Sequence, residues 1–184
     1  VIDLVEKLNK NPKINGILCQ LPLPKHLNEE DVVNHIDPKK DVDGLHPVNQ
    51  GKLMIGEADF VPCTPKGIQR LLIRSNTQIE GADVVVIGRS NLVGKPILNI
   101  LLQKAPGANA TVTLCHTKTK DLAFYTKHAD IIIAAAGKPK TVTGDMVKPG
   151  CTIIDVGVNE IGKTAEGKRI LVGDVDFEGV KEKA

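Results

Sequence analysis

The chain has 184 residues, of which 41% are hydrophobic, and its formal net charge is +2. That length suits a globular protein with one good core and part of a second domain. Charges are scattered and only 2% of residues are aromatic, so neither a basic stripe nor a base-stacking platform for nucleic acid is indicated. No apolar run approaches the roughly 20 residues of a membrane helix. We therefore expect a cytoplasmic protein, or a matrix protein after processing, that binds neither nucleic acid nor membranes.

The cysteines do not indicate a metal site or a disulfide framework. Cys19, Cys63, Cys115 and Cys151 lie far apart, and the sequence contains no Cys-x-x-Cys pair and no His-Glu-x-x-His motif. Free thiols in a reducing compartment are the simplest interpretation. We expect no bound metal.

The first part of the chain alternates helix and strand signals. Pro22 and Pro24 cannot continue a hydrogen-bonded ladder, so the apolar run before them must stop and leave Gln20 at its carboxyl end. The elements predicted here are a helix over 1–9, a central strand over 14–19, a helix from Asn28 through Ile36 and a polar loop over 39–47.

The second part reads as alternating strands and helices. Thr64 is the expected N-cap of its first helix, with Pro65 at the first helical position. The continuous apolar run 131–135 is typical of a strand buried on both faces, so we predict an α/β fold with a Rossmann-like parallel sheet. The further predicted elements are strands over 83–87, 110–115, 130–135, 151–156 and 170–173, and helices over 93–104, 120–128 and near 143–147.

A strand-to-helix turn is the most informative feature of the sequence. The β-branched run 83–87 ends at Gly88, and a second glycine, Gly94, opens an apolar-periodic helix six residues later. Such turns deliver backbone N–H groups to a phosphate. Ser90 replaces the middle glycine of the usual dinucleotide-binding motif, but the strand–turn–helix context supports that interpretation.

The residues around this turn favour NADP over NAD. An NAD site needs an acid after the second strand, whereas strand 110–115 leads into Thr117 and Lys118. These groups would accept a 2′-phosphate, and Arg89 adds a fixed charge with fork geometry. A solvated loop arginine is the alternative for Arg89. The segment 156–159 is expected at the carboxyl edge of the sheet, as a ligand-facing backbone or a simple turn.

Five segments together resemble the methylenetetrahydrofolate dehydrogenase/methenyltetrahydrofolate cyclohydrolase family. They occur in the family's order and spread over most of the chain. Singly they are modest, but jointly they are highly specific. They are GILCQLPLP (16–24), KDVDG (40–44), PCTPKG (62–67), GRSxxVGxP (88–96) and CHTxT (115–119).

The resemblance implies a two-domain α/β enzyme with a folate cleft between the domains. Residues 1–62 would be part of a folate-binding catalytic domain, and residues 63–184 an NADP-binding Rossmann-like domain. The enzyme would oxidise 5,10-methylenetetrahydrofolate with NADP⁺ and then hydrolyse the methenyl product to 10-formyltetrahydrofolate. A homodimer, formed through the cofactor domain, is implied as well.

The resemblance also implies roles for individual residues. Gln20 would bind the family's catalytic lysine, Asp43 would grip the pterin ring, and Val158 would present its backbone near the nicotinamide. The family usually has serine at the position of Thr117, so a hydroxyl is kept. The implied substrate residues are Cys19, Gln20, Leu21 and Asp43, and the implied cofactor residues are Gly88, Arg89, Ser90, Gly94, Thr117 and Val158.

Two family motifs are absent from these residues. The only tyrosine, Tyr125, is followed four positions later by Ala129, so the Tyr-x-x-x-Lys motif that carries the catalytic lysine is not here. The glycine-rich Pro-Gly-Gly-Val-Gly-Pro segment is also not present. The chain thus resembles a section truncated at both ends, and we expect little cyclohydrolase activity from these residues alone.

Two other functions fit the same residues. A non-catalytic nucleotide-binding module would explain the loss of both ends; in it Gln20 would be a strand-end amide and Asp43 a turn carboxylate. An NAD-preferring branch of the same family is the second alternative.

Overall fold

The computed structural model describes all 184 residues and has the α/β architecture that the sequence predicts. Its main sheet is parallel, with the strand order β2-β1-β3-β4, and an antiparallel hairpin, β5-β6, stands apart from it. The strands are β1 (Asp83–Ile87), β2 (Thr111–Cys115), β3 (Ile131–Ala134), β4 (Thr152–Asp155), β5 (Asn159–Lys163) and β6 (Arg169–Val172).

Seven α-helices and one 3₁₀ turn, Gly144–Met146, accompany the strands. None of the helices is long and apolar enough to cross a membrane. They are α1 (Ile2–Lys10), α2 (Glu29–His35), α3 (Pro47–Ile55), α4 (Cys63–Arg74), α5 (Gly94–Leu101), α6 (Leu122–Thr126) and α7 (Phe177–Val180).

The parallel sheet is buried on both faces, as its continuous apolar strands predict. One face carries Val84 and Val86 against α4 and α5, in a core that includes Ile97. The other face carries Val85 and Ile87 in a second core. Because successive strand residues point to opposite faces, an unbroken apolar strand supplies both cores.

A separate small core holds the first part of the chain together. It is formed by Val5, Ile17, Val32 and Ile36, which join α1 to α2. Lys40 stabilises this first part of the chain by binding the end of α1. Its ammonium donates to three backbone carbonyls there, at 3.0, 2.6 and 3.0 Å. A cation is favourable at a helix C-terminus.

The predicted central strand over 14–19 is wrong. Only a single bridge forms there, with the Ile17 N–H donating to the Lys40 carbonyl at 2.6 Å and the Ile17 carbonyl accepting from the Val42 N–H at 3.5 Å. Leu18 is 58% exposed. An apolar run needs neighbouring strands on both sides to become a central strand, and here it has one short partner segment.

The start of α4 differs from the prediction. Pro62, not Thr64, is the N-cap, and no side chain caps this helix. The helix begins instead with the backbone hydrogen bond of Lys66, whose N–H donates to the Pro62 carbonyl at 3.1 Å. Pro65 therefore lies inside the first turn, where its missing N–H costs no helical bond.

The sequence also does not reveal α3, because its pattern indicates a polar loop up to the first residue of this helix. The His46 side chain accepts the N–H of Val48 at 3.1 Å, and Pro47 opens the helix. Leu53 of α3 then packs into the core beneath the sheet. A histidine cap and one buried leucine are weak signals in a sequence.

The predicted strand over 170–173 is observed as β6, but it lies outside the parallel sheet. It pairs antiparallel with β5, which the sequence did not predict. The helices predicted over 93–104 and 120–128 are shorter than expected, as α5 and α6.

Three backbone segments meet at the turn between β1 and α5. Gly88 has φ +119°, and a Cβ there would overlap the Ala135 carbonyl. A Cβ on Gly94 would in turn overlap the Gly88 carbonyl. The turn therefore requires glycine at both positions.

We expect Gly94→Ala to destabilise the protein by about 1–3 kcal/mol, because the new methyl group must push two backbone segments apart. Denaturant unfolding monitored by circular dichroism measures the change. Gly67→Ala is the matched control: Gly67 is exposed within α4, with nothing within 4 Å of the position that its new methyl group would take. Its substitution should stabilise by roughly 0.5–1 kcal/mol. Equal stability of Gly94→Ala and the unmodified chain would contradict this account of the turn.

Candidate functional site

The four parallel strands end at the same edge of the sheet. Ile87 pairs with Cys115 on one side and with Ala134 on the other, and Ala134 pairs with Asp155. The loops that follow these strands are therefore neighbours. Most predicted cofactor residues lie in these loops.

The chain leaves this edge in opposite directions from β1 and from β3. From β1 it passes through α5 to β2, whereas from β3 it continues to β4 on the other side. Open α/β sheets bind ligands in the crevice between strands whose connections diverge. Here that crevice lies between the turn 88–93 and the loop after β3.

The turn after β1 offers a row of unused hydrogen-bond donors. The four backbone N–H groups of residues 89–92 donate no hydrogen bond within the chain. The next two N–H groups, of Val93 and Gly94, donate to the Ser90 hydroxyl oxygen at 3.0 and 3.4 Å. Successive free N–H groups before a helix form a concavity that binds anions.

Gly94 shapes this turn rather than lining it. The residue is buried against Gly88, and its N–H is occupied by Ser90. Of the predicted cofactor residues, Gly94 therefore acts through packing, whereas the Ser90 hydroxyl keeps its proton free for a ligand.

Arg89 and Thr117 follow the ends of two adjacent strands. Each follows the paired residues Ile87 and Cys115 by two positions, and both are exposed. Arg89 makes no ion pair within the chain. The first carboxylate after β2 is Asp121, which is engaged in capping α6. This corner thus presents a hydroxyl and a free guanidinium without an acid.

Val158 follows β4 at the same edge of the sheet. Its side chain is 74% exposed, and its backbone N–H donates no hydrogen bond within the chain. The neighbouring Gly157 N–H donates to Asp155 at 3.0 Å. Val158 thus presents its backbone and side chain to solvent on a fixed segment.

Gln20 lies in the first part of the chain, beside a cis peptide bond between Leu21 and Pro22. Its side-chain amide donates to the Leu21 carbonyl at 3.0 Å, and its amide oxygen accepts no hydrogen bond. The free oxygen of this exposed side chain can therefore accept a hydrogen bond from another group.

Asp43 is a half-buried carboxylate at the turn after Asp41. Burial raises the pKa of the Asp43 carboxyl above its ordinary value, and the charge of Asp41 raises it further. Burial likewise raises the pKa of the Cys19 thiol, and the charges of Glu29 and then of Asp43 raise this pKa further.

A cleft of about 630 Å³ separates the first part of the chain from the turn after β1. Leu21 and Leu45 line one wall, and Ser90 and Leu92 line the other. The predicted residues Leu21 and Ser90 therefore face one shared space. Cys19, Gln20 and Asp43 do not line it, and neither do Arg89, Thr117 and Val158.

The sequence interpretation missed two residues of this region. Asn49, on α3, is buried and donates to the Asp41 carboxylate at 2.8 Å, which fixes the turn that carries Asp43. Asp174 is fully buried at the sheet edge. The sequence did hold one signal for Asp174, since this acidic residue comes directly after a strand and a glycine.

Comparison with known proteins identifies a family for both parts of the chain. Residues 62–184 match the family model described as "Tetrahydrofolate dehydrogenase/cyclohydrolase, NAD(P)-binding domain". Residues 1–43 match the catalytic domain of the same family.

Individual relatives agree with these matches. A protein of Syntrophus aciditrophicus named "Bifunctional protein FolD" is 64% identical over the whole chain, which spans 63% of that relative's length. The bifunctional FolD methylenetetrahydrofolate dehydrogenase/cyclohydrolase of Campylobacter jejuni is 46% identical, with a TM-score of 0.88 over 99% of this chain and 62% of its own.

A third relative is the methylenetetrahydrofolate dehydrogenase-cyclohydrolase of Trypanosoma brucei, whose structure contains NADP cofactor and an inhibitor. It is 36% identical, with a TM-score of 0.88 over 100% of this chain and 64% of its own. The fold, the motifs and these matches agree: this chain belongs to the tetrahydrofolate dehydrogenase/cyclohydrolase family.

Proposed function

We propose that the protein containing this chain oxidises 5,10-methylenetetrahydrofolate with NADP⁺ and hydrolyses the 5,10-methenyl product to 10-formyltetrahydrofolate. The observation that carries the proposal is the row of four free N–H groups at residues 89–92, of which residues 90–92 line the same cleft as Leu21. A phosphate-binding turn and a substrate-domain wall thus enclose the same space.

The residues of the turn fit a dinucleotide. Gly88 and Gly94 allow the close backbone approach that leaves room for a pyrophosphate. Arg89 and Thr117 lie at the corner where the ribose of the adenosine would bind, and the absence of an acid there favours a 2′-phosphate. When bound, NADP⁺ supplies the hydride acceptor. The free backbone of Val158 would border the nicotinamide.

The first part of the chain fits a folate. A pterin presents N–H donors on its pyrimidine edge, and the Asp43 carboxylate can accept two of them in parallel. The free amide oxygen of Gln20 can orient a lysine ammonium that handles protons in the hydrolysis. Leu21 offers an apolar wall beside the reacting rings.

The same proposal covers the organisation of the protein. We place the division between the folate and cofactor domains at residue 62, supported by the separate small core in the first part of the chain. We also propose a homodimer, which the family resemblance implies, and a cytoplasmic location, which the sequence pattern favours. Light scattering of the longest available form of the protein tests the dimer.

A hydride-transfer assay tests the proposed activity. We expect the longest available form of the protein to produce NADPH from NADP⁺ only when 5,10-methylenetetrahydrofolate is added, because each ring system positions the other. The ultraviolet absorbance of NADPH and of the methenyl product follows the two steps. Binding of both ligands without NADPH formation would instead favour the non-catalytic module.

Arg89→Gln should weaken NADP⁺ binding by about 10- to 100-fold, because charge-assisted hydrogen bonds contribute about 1.5–3 kcal/mol each. NAD⁺ binding should stay nearly constant, since NAD⁺ has no 2′-phosphate. Isothermal titration calorimetry with both nucleotides measures the difference. Arg74→Gln, an exposed arginine at the end of α4, is the control. If Arg89 is only a solvated loop residue, both variants will bind NADP⁺ equally well.

Asp43→Asn should weaken folate binding by about tenfold or more, because a charged acceptor is lost. In the unmodified protein, folate affinity should fall as pH decreases through the raised pKa of Asp43, at a higher pH than for an ordinary aspartate. Protonation removes the acceptor, so the variant should lose this pH dependence. Calorimetric titrations between acid and neutral pH compare it with Asp31→Asn, an exposed acid on α2. An unchanged pH profile in Asp43→Asn would contradict the assignment.

A further inference from the structure

The fully buried carboxylate of Asp174 joins the loops that follow β3 and β4 at the edge of the sheet. Asp174 Oδ2 accepts the backbone N–H groups of Ala136 and Gly137 at 2.6 and 2.9 Å. Its Oδ1 accepts the Lys138 N–H at 2.9 Å and the side-chain amide of Asn159 at 2.8 Å. A carboxylate has about four acceptor sites, and here all are used.

These four bonds join the loop after β3 to the segment after β4. Gly157 lies directly against the same carboxylate, since a Cβ on it would overlap Asp174 Oδ1. Asp155 fixes Asp174 in turn, because its carboxylate accepts the backbone N–H groups of Asp174 and Val175 at 2.9 and 3.0 Å. Val158 is thereby held between two anchored neighbours.

We propose that Asp174 is a positioning residue for hydride transfer, which holds the loop 136–138 and the Val158 backbone as the wall of the nicotinamide half of the site. The inference rests on the proposed function. Asp174 makes no hydrogen bond to Arg89, Ser90 or Thr117. It therefore acts on one half of the cofactor site only.

The chemistry of the contact requires a carboxylate. In Asp174→Asn, the new NH₂ group must replace either Oδ1 or Oδ2, and in either position it meets two N–H donors. The buried NH₂ group then faces N–H donors with no acceptor between them, so one of the two loops must move. Asn159→Ala is milder, because it frees the segment after β4 and leaves the loop 136–138 attached.

The experiment compares two ligands in the longest available form of the protein. NADP⁺ contacts both halves of the proposed site, whereas adenosine 2′,5′-bisphosphate contacts only the adenosine half. Calorimetry gives both affinities, steady-state kinetics gives kcat, and amide hydrogen exchange without ligand reports the order of the two loops. Asp130→Asn is the matched control, because Asp130 accepts the Asp83 N–H at 2.8 Å at the opposite edge of the sheet.

Asp174→Asn should lower kcat by about tenfold or more, as expected when reacting groups are displaced. NADP⁺ affinity should fall by about fivefold, equal to one lost hydrogen bond. Affinity for adenosine 2′,5′-bisphosphate should stay within about twofold, because the sites are independent. Exchange should accelerate at 136–138. Asn159→Ala should change the same quantities less, and Asp130→Asn should lower stability alone.

Three results would overturn the inference. An equal loss of affinity for both ligands in Asp174→Asn would show that the residue only maintains the fold. An unchanged kcat would show that it does not position the reacting groups. If Asp174→Asn does not fold, Asn159→Ala decides, and its equivalence to Asp130→Asn in kcat and ligand preference would refute the role. Failure of the unmodified protein to bind either ligand would instead overturn the proposed function, and the inference with it.

Discussion

The contact of three backbone segments at Gly88 determines much of the molecule. Ala135 follows β3 and touches Gly88, while Gly94 opens α5 against the Gly88 carbonyl. No side chain fits between these segments, so the turn is pressed onto the edge of the sheet. The following N–H groups of residues 89–92 are then held outside any helix or strand and stay unpaired. The row of free donors in the turn is a direct result of this close packing.

The loop N–H groups at the carboxyl edge of the sheet fall into two sets. Most of those near β3 and β4 are hydrogen-bonded within the protein, and those of residues 89–92, near β1, are not. Near β3 and β4, the side chains of Asp155 and Asp174 satisfy the loop N–H groups from within the protein. Near β1, the corresponding N–H groups have no internal acceptor. The unpaired N–H groups of residues 89–92 belong to exposed residues, so they are available to an external acceptor. The paired N–H groups instead hold the loops near β3 and β4 in place.

The sequence predicted those features that depend on local patterns. The β-branched runs of the four parallel strands, the turn at Gly88 and the family motifs were recognisable, because each is encoded in a few adjacent residues. Features that depend on distant partners were not predictable. The segment 14–19 has strand composition but lacks strands on both sides, and α3 begins at a histidine cap. The pairing of β5 with β6 was not predicted either.

The candidate site shows the same division. Arg89 and Thr117 were predicted because each directly follows a strand that the local pattern indicates, and no acid follows the second strand. Asp174 was not predicted, since its N–H partners at 136–138 lie 36–38 positions earlier in the chain. Asn49 was missed for a similar reason, because its bond to Asp41 depends on the position of a helix that the sequence did not reveal.

The turn that carries Asp43 is fastened to both parts of the chain. The Lys40 carbonyl accepts the Ile17 N–H from the small core, while Asp41 accepts the side-chain amide of Asn49 on α3, the helix whose Leu53 lies in the core of the sheet. Asp43 therefore lies between two attachments, one to each part of the chain. The position of its carboxylate is set by the small core on one side and by the core of the sheet on the other.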